Sequence, residues 1–94
     1  MDLNKKFAIN KDVVHRIVDG EAIILDMNNG EHFSLNRTGT DIFLGILEDK
    51  NLKSILELQT KKYKENPEVL KKDLISCVSD LLRSKIIKKG RIDN

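Results

Sequence analysis

Residues 13–35 read VVHRIVDGEAIILDMNNGEHFSL, three short runs rich in β-branched residues, cut twice by turn formers. Val13–Val18 ends at Asp19-Gly20, a pair suited to a two-residue type I′ hairpin because both positions tolerate positive φ. Residues 21–27 supply a second strand, Asn28-Asn29-Gly30 a second turn, and residues 31–35 a third strand, so the segment reads as an antiparallel meander. A three-residue loop with Gly30 left-handed sets Leu25 opposite Phe33 and Ile23 opposite Leu35. A two-residue loop would put those pairs on opposite faces, since a one-residue slip turns every side chain over. The three-residue loop places Val14, Val18, Ile23, Leu25, Phe33 and Leu35 on the core face, and His15, Ile17, Ile24, Asp26, His32 and Ser34 on the outer one.

Beyond Leu35 the hydrophobic period changes from two to about 3.6. Thr38 and Asp41 are spaced like a capping box ahead of Ile42, Phe43, Ile46 and Leu47, which predicts a helix to about residue 48. Residues 49–51 interrupt it. Leu52, Ile55, Leu56, Gln59 and Tyr63 then mark one face of a second helix ending near Lys64. Asn66 followed by Pro67 is an N-cap and first-turn pair, because proline's missing N–H costs nothing there. The third helix continues through Leu70, Leu74, Cys77, Val78, Leu81 and Leu82 to about Ser84. The first twelve residues are polar apart from Phe7, show no periodicity and read as a flexible arm outside the core. The domain proper spans residues 13–87; residues 88–94 form a basic tail, and the apolar and basic stretch from Ile86 to Ile92 has the composition for one more strand. The fold class is α+β, a three-stranded antiparallel N-terminal sheet followed by three helices.

Composition narrows the function. The 94 residues carry 17 Lys+Arg against 15 Asp+Glu, a formal charge of +2, with 39% apolar and 34% charged residues. That is one domain with no dominating field, in a chain that buries only about 60–65% of its unfolded surface. No apolar run approaches the roughly 18 residues of a membrane span, and the N-terminus lacks the apolar centre of a secretion signal, so a cytoplasmic protein without membrane contact is expected. The single cysteine, Cys77, closes no internal disulfide, and His15 and His32 alone satisfy no metal, so neither metal nor cofactor is expected.

Helix three is more apolar than one core requires. At 100° per residue Leu70, Leu74, Cys77 and Leu81 fall within about 60°, the width of a core seam, while Ile75, Val78, Leu82 and Ile86 widen the arc to about 180°, with Lys71 inside that flank. The sheet, the tail or a dimer partner could cover the surplus; the functional reading is a groove. The third strand points to the same place. Its free edge is a row of unpaired N–H and C=O groups, unprotected by proline or lysine. An extended peptide could pair with it while inserting side chains against helix three.

Several stretches together resemble the PqqD family: His15-Arg16 and Asp19-Gly20-Glu21 before the second strand, Leu35-Asn36-Arg37-Thr38-Gly39 entering helix one, Ile42-Phe43, and Asp73 followed by Val78, Leu81 and Leu82. The resemblance covers roughly residues 13–87. It implies a non-catalytic domain with a winged helix-turn-helix-like trio of helices, a recognition element for the leader of a ribosomally synthesised precursor peptide. The leader is then expected to dock as an added strand and be presented to a modifying enzyme such as a radical-SAM protein, a leader peptidase or a cyclase, in pyrroloquinoline quinone, lasso-peptide or related biosynthesis. The chain departs from the family in having His32-Phe33 where two aromatics are common, Phe43 where tryptophan is common, and Ser84-Lys85 where many members have glycine.

The expected peptide-binding residues are the main chain of Glu31, His32, Phe33, Ser34 and Leu35 for pairing, Ile75, Val78 and Leu82 for apolar pockets, and Lys71 for an acidic leader side chain. Two other readings were weighed. Catalysis by Cys77 with a histidine base fails because Cys77 sits on the core seam and the histidines lie on the outer sheet face. A winged-helix DNA-binding regulator is the rival class, with Arg83, Lys85, Lys88, Lys89 and Arg91 as its best support. Helix three, however, mixes Lys71, Lys72 and Arg83 with Glu68, Asp73 and Asp80, and +2 is a small charge for a phosphate binder. The exposed strand edge leaves both monomer and dimer open.

Overall fold

The computed structural model describes residues 1–90; Arg91 and Ile92, assigned to the basic tail, lie outside the described residues. The elements run β1 (Phe7–Ile9), β2 (Val13–Val18), β3 (Glu21–Asp26), β4 (His32–Ser34), α1 (Arg37–Leu47), α2 (Leu52–Lys62), α3 (Pro67–Arg83) and β5 (Ile87–Lys89). β2, β3 and β4 form the antiparallel meander in that order, and β1 and β5 form a separate two-stranded sheet. The fold class read from the sequence, α+β with three strands ahead of three helices, is the one observed.

The β2–β3 turn is as expected, with Asp19 and Gly20 both left-handed at φ 52° and 80° and Val18 paired with Glu21. The second turn differs. Asp26 N–H donates to Glu31 O at 2.9 Å and Gly30 N–H to Asp26 O at 2.8 Å, so Met27 leaves the strand and the loop has four residues. Two side chains cause this: Asp26 Oδ1 accepts from Asn28 N–H and Asn29 Oδ1 from Glu31 N–H, each at 2.9 Å. Such Asx turns satisfy the loop's own amides and make the longer turn favourable. Phe33 therefore pairs with Ile24 and His32 with Leu25, and the expected faces of β2 and β3 are exchanged. Ala22, Ile24 and Asp26 are buried, whereas Val14, Val18 and Ile23 are exposed. His15, opposite Ile24, sets its ring edge-on to the buried Phe43, with centroids 5.2 Å apart.

The N-terminal segment also departs from expectation. Phe7 is buried in the core, and β1 pairs antiparallel with β5, Ile9 opposite Ile87 and Phe7 opposite Lys89. The tail thus forms the additional strand its composition allowed, with the supposed arm as partner. α3 ends in a Schellman geometry in which Lys85 N–H reaches Leu82 O and Ile86 N–H reaches Leu81 O, both at 3.0 Å. Lys85 takes the left-handed position at φ 61°, and the reversal buries Ile86 and Ile87.

Each helix begins at an asparagine cap: Asn36, Asn51 and Asn66 accept from the amides of Gly39, Ser54 and Glu68. The Asn66-Pro67 start of α3 is as expected. Thr38 and Asp41 do not form a capping box, because Asn36 already occupies the cap of α1; Asp41 instead accepts from Lys62 Nζ at 2.9 Å and from the Tyr63 hydroxyl, tying α1 to the end of α2. Ile24, Phe43, Ile46, Leu52, Leu74 and Val78 form the centre of the core. No helix among the described residues is long and apolar enough to cross a membrane.

Candidate functional site

β4 is the end strand of the meander, and β5, the one later strand among the described residues, pairs with β1 instead. In an antiparallel ladder, hydrogen-bonded and non-hydrogen-bonded pairs alternate. Asp26 N–H to Glu31 O and Leu35 N–H to Ala22 O put Glu31, Phe33 and Leu35 on the bonded side. His32 and Ser34 therefore turn their N–H and C=O groups toward the open edge. Among the expected pairing residues, these two carry the free main-chain groups.

The end of β4 is held by Thr40, a buried residue of α1. Its hydroxyl accepts from Ala22 N–H at 2.7 Å and donates to Leu35 O at 3.3 Å, joining β3, the exit from β4 and α1 through one atom. The sequence reading did not single out Thr40, which lies in the polar first turn of α1 between Thr38 and Asp41 and carries no signal that sets it apart from them.

Beside this edge lies a cleft of about 380 Å³ between the β4–α1 junction and α3. Ser34, Leu35, Asn36, Thr38, Gly39 and Ile42 form one wall; Asp73, Ser76, Cys77, Asp80 and Leu81 form the other. A groove beside the third meander strand and the third helix is thus present, but α3 contributes a different flank from the one expected. Lys71, Ile75, Val78 and Leu82 do not line it. Val78 is fully buried in the core, and Ile75 and Leu82 stand across the buried stripe of Leu70, Leu74 and Leu81, roughly 140–180° around the axis from Asp73, Cys77 and Asp80. Of the apolar surplus that marked the first flank, Val78 and Ile86 are buried and Ile75 and Leu82 half-buried.

Cys77, expected in the core, is half-buried in the cleft wall. Burial, reinforced by the neighbouring Asp80 carboxylate, pushes its thiol up to about 11, so it stays protonated and weakly nucleophilic near neutrality. Asp80 pairs with Arg83 at 3.2 Å, an exposed i,i+3 contact. Among the described residues no cluster of three or more His, Cys, Asp or Glu side chains is placed to hold a metal ion.

The arrangement defines a small α+β protein with an open strand edge running into a cleft under its last helix. The sequence profile of the family described as Coenzyme PQQ synthesis protein D (PqqD) matches residues 21–87, and the chain belongs to that family. Two solved structures share its fold. "TbiB1 in Complex with the TbiA(beta) Leader Peptide" aligns with TM-score 0.82 at 23% identity, over 92% of this chain and 99% of that one. "Lasso peptide synthetase B1 complexed with the leader peptide" aligns with TM-score 0.81 at 19% identity, over 88% and 98%. The search of curated proteins returns no match.

Proposed function

We propose that this chain is a non-catalytic adaptor that binds the leader of a ribosomally synthesised precursor peptide. The leader adds as a strand to β4 and is thereby presented to a modifying enzyme, such as a radical-SAM protein, a leader peptidase or a cyclase. One observation carries the reading: the open edge of β4, where His32 and Ser34 turn their main-chain groups outward, runs at Ser34 into the wall of the cleft beside α3. Main-chain pairing then supplies affinity regardless of sequence, and the cleft reads every second side chain. Two structures of the same fold, each solved with a leader peptide, support the reading.

Burial of two or three anchor side chains at about 1.5–3 kcal/mol each, less the cost of ordering a flexible peptide, places the affinity in the micromolar to nanomolar range. The test is a fluorescence-polarisation titration with synthetic leaders of precursor genes neighbouring the gene for this chain. Saturable binding that changes little between low and moderate salt is the expected result. Failure of every such leader to bind, or tighter binding to duplex DNA with a steep loss on adding salt, would reject the adaptor.

A further inference from the structure

We infer that the peptide strand accepted by β4 carries a lysine or arginine at a position facing α3, and that Asp73 selects it. This rests on the strand-addition reading above and names the peptide chemistry that site would choose.

The cleft lining runs against the charge of the molecule. The chain is formally +2, yet its lining contains Asp73 and Asp80 and no lysine, arginine or histidine. Asp80 is engaged by Arg83, whereas Asp73 makes no salt bridge among the described residues and is exposed at the rim. The opposite wall brings the first turn of α1, where Asn36 Oδ1 accepts from the Gly39 amide at 2.8 Å, so the charged side chains of the lining all come from α3.

The floor selects the shape of the cation. Leu35, Ile42 and Leu81 line the same cleft, so a side chain leaving the docked strand crosses apolar surface before reaching the carboxylates. A long alkyl stem with a terminal charge meets both demands, as lysine and arginine do when the stem is covered and the head stays in water. Spacing permits it: inward-facing residues of a strand recur every 6.7 Å or so, and Asp73 and Asp80 are two helical turns, about 10.5 Å, apart along α3. An acidic side chain at the same position would face the Asp73 carboxylate as a like charge.

The test uses the full chain and a displayed library of random linear dodecapeptides, with selected peptides assigned to the site by amide shifts at His32 and Ser34. Peptides that shift those amides should be enriched in Lys or Arg at one position. Replacing that residue by Glu should weaken binding about five-fold, and the exposed substitution Asp73→Lys should reverse the preference; Asp73→Asn should abolish it without reversal. Peptides that shift His32 and Ser34 with no basic preference, or with one that Asp73→Lys leaves intact, would overturn this inference and leave strand addition standing. No selected peptide shifting those amides would overturn both.

Discussion

Thr40 shows how much one atom can position. Its hydroxyl satisfies the buried Ala22 amide and holds Leu35 O, so Thr40→Val keeps the shape but orphans a buried donor. A loss of about 1–3 kcal/mol is expected, read as a lower denaturant midpoint at unchanged slope. Lys85 is the opposite case, a side chain in the left-handed position at φ 61°, which favours glycine; Lys85→Gly should raise stability by about 0.5–1 kcal/mol in the same assay. Cys77 reports on the cleft. With its thiol held up to about 11 by burial and Asp80, the reactive thiolate is scarce at pH 8 and increases about tenfold per pH unit until the pH nears that value. Iodoacetamide should therefore alkylate the native chain far more slowly than the urea-unfolded chain at pH 8. Equal rates would contradict the burial of the thiol.

The elements divide into those legible from local chemistry and those that depended on distant partners. Asp19-Gly20, the helical periodicities and Asn66-Pro67 each carry their own geometric signal, and the corresponding turn and helices stand where they were read. The β3–β4 register was not legible from apolar count alone, because the side chains of Asp26 and Asn29 bond their own loop and draw Met27 out of the strand. β1 escaped notice because three residues are too few to show a period, and its pairing partner lies some eighty positions away. The cleft beside β4 takes Asp73, Ser76, Cys77 and Asp80 from α3, whereas the apolar flank that stood out in the sequence packs toward the core at Val78 and Leu82; surplus hydrophobicity there marked packing. Parity of the ladder gives a sharp test. Ser34→Pro removes an outward N–H and no bond to β3, so the fold should persist while leader affinity falls at least about tenfold. Phe33→Pro removes a ladder bond and should destabilise the sheet instead. Circular dichroism with a polarisation titration separates the two outcomes, and undiminished leader binding by Ser34→Pro would argue against pairing at this edge.

At the scale of the molecule, β1 and β5 clasp one another, and among the described residues β4 keeps an open edge beside α3. Phe7 packs into the core, and the β1–β5 ribbon covers the exit of α3. Deleting residues 1–10 should therefore lower stability by about 3 kcal/mol or more, through loss of the Phe7 side chain and exposure of Ile86 and Ile87. A truncated chain with an unchanged denaturant midpoint would show that the clasp adds nothing. The clasp also pairs Ile87–Lys89 with β1 rather than with the meander, which is what a strand-accepting edge requires. Amide hydrogen exchange on the ¹⁵N-labelled chain, with and without the cognate leader, examines that edge itself. The account expects the His32 and Ser34 amides to exchange freely alone and to become protected on binding, with β1 and β5 unaltered; a leader that binds while leaving both amides unprotected would contradict it.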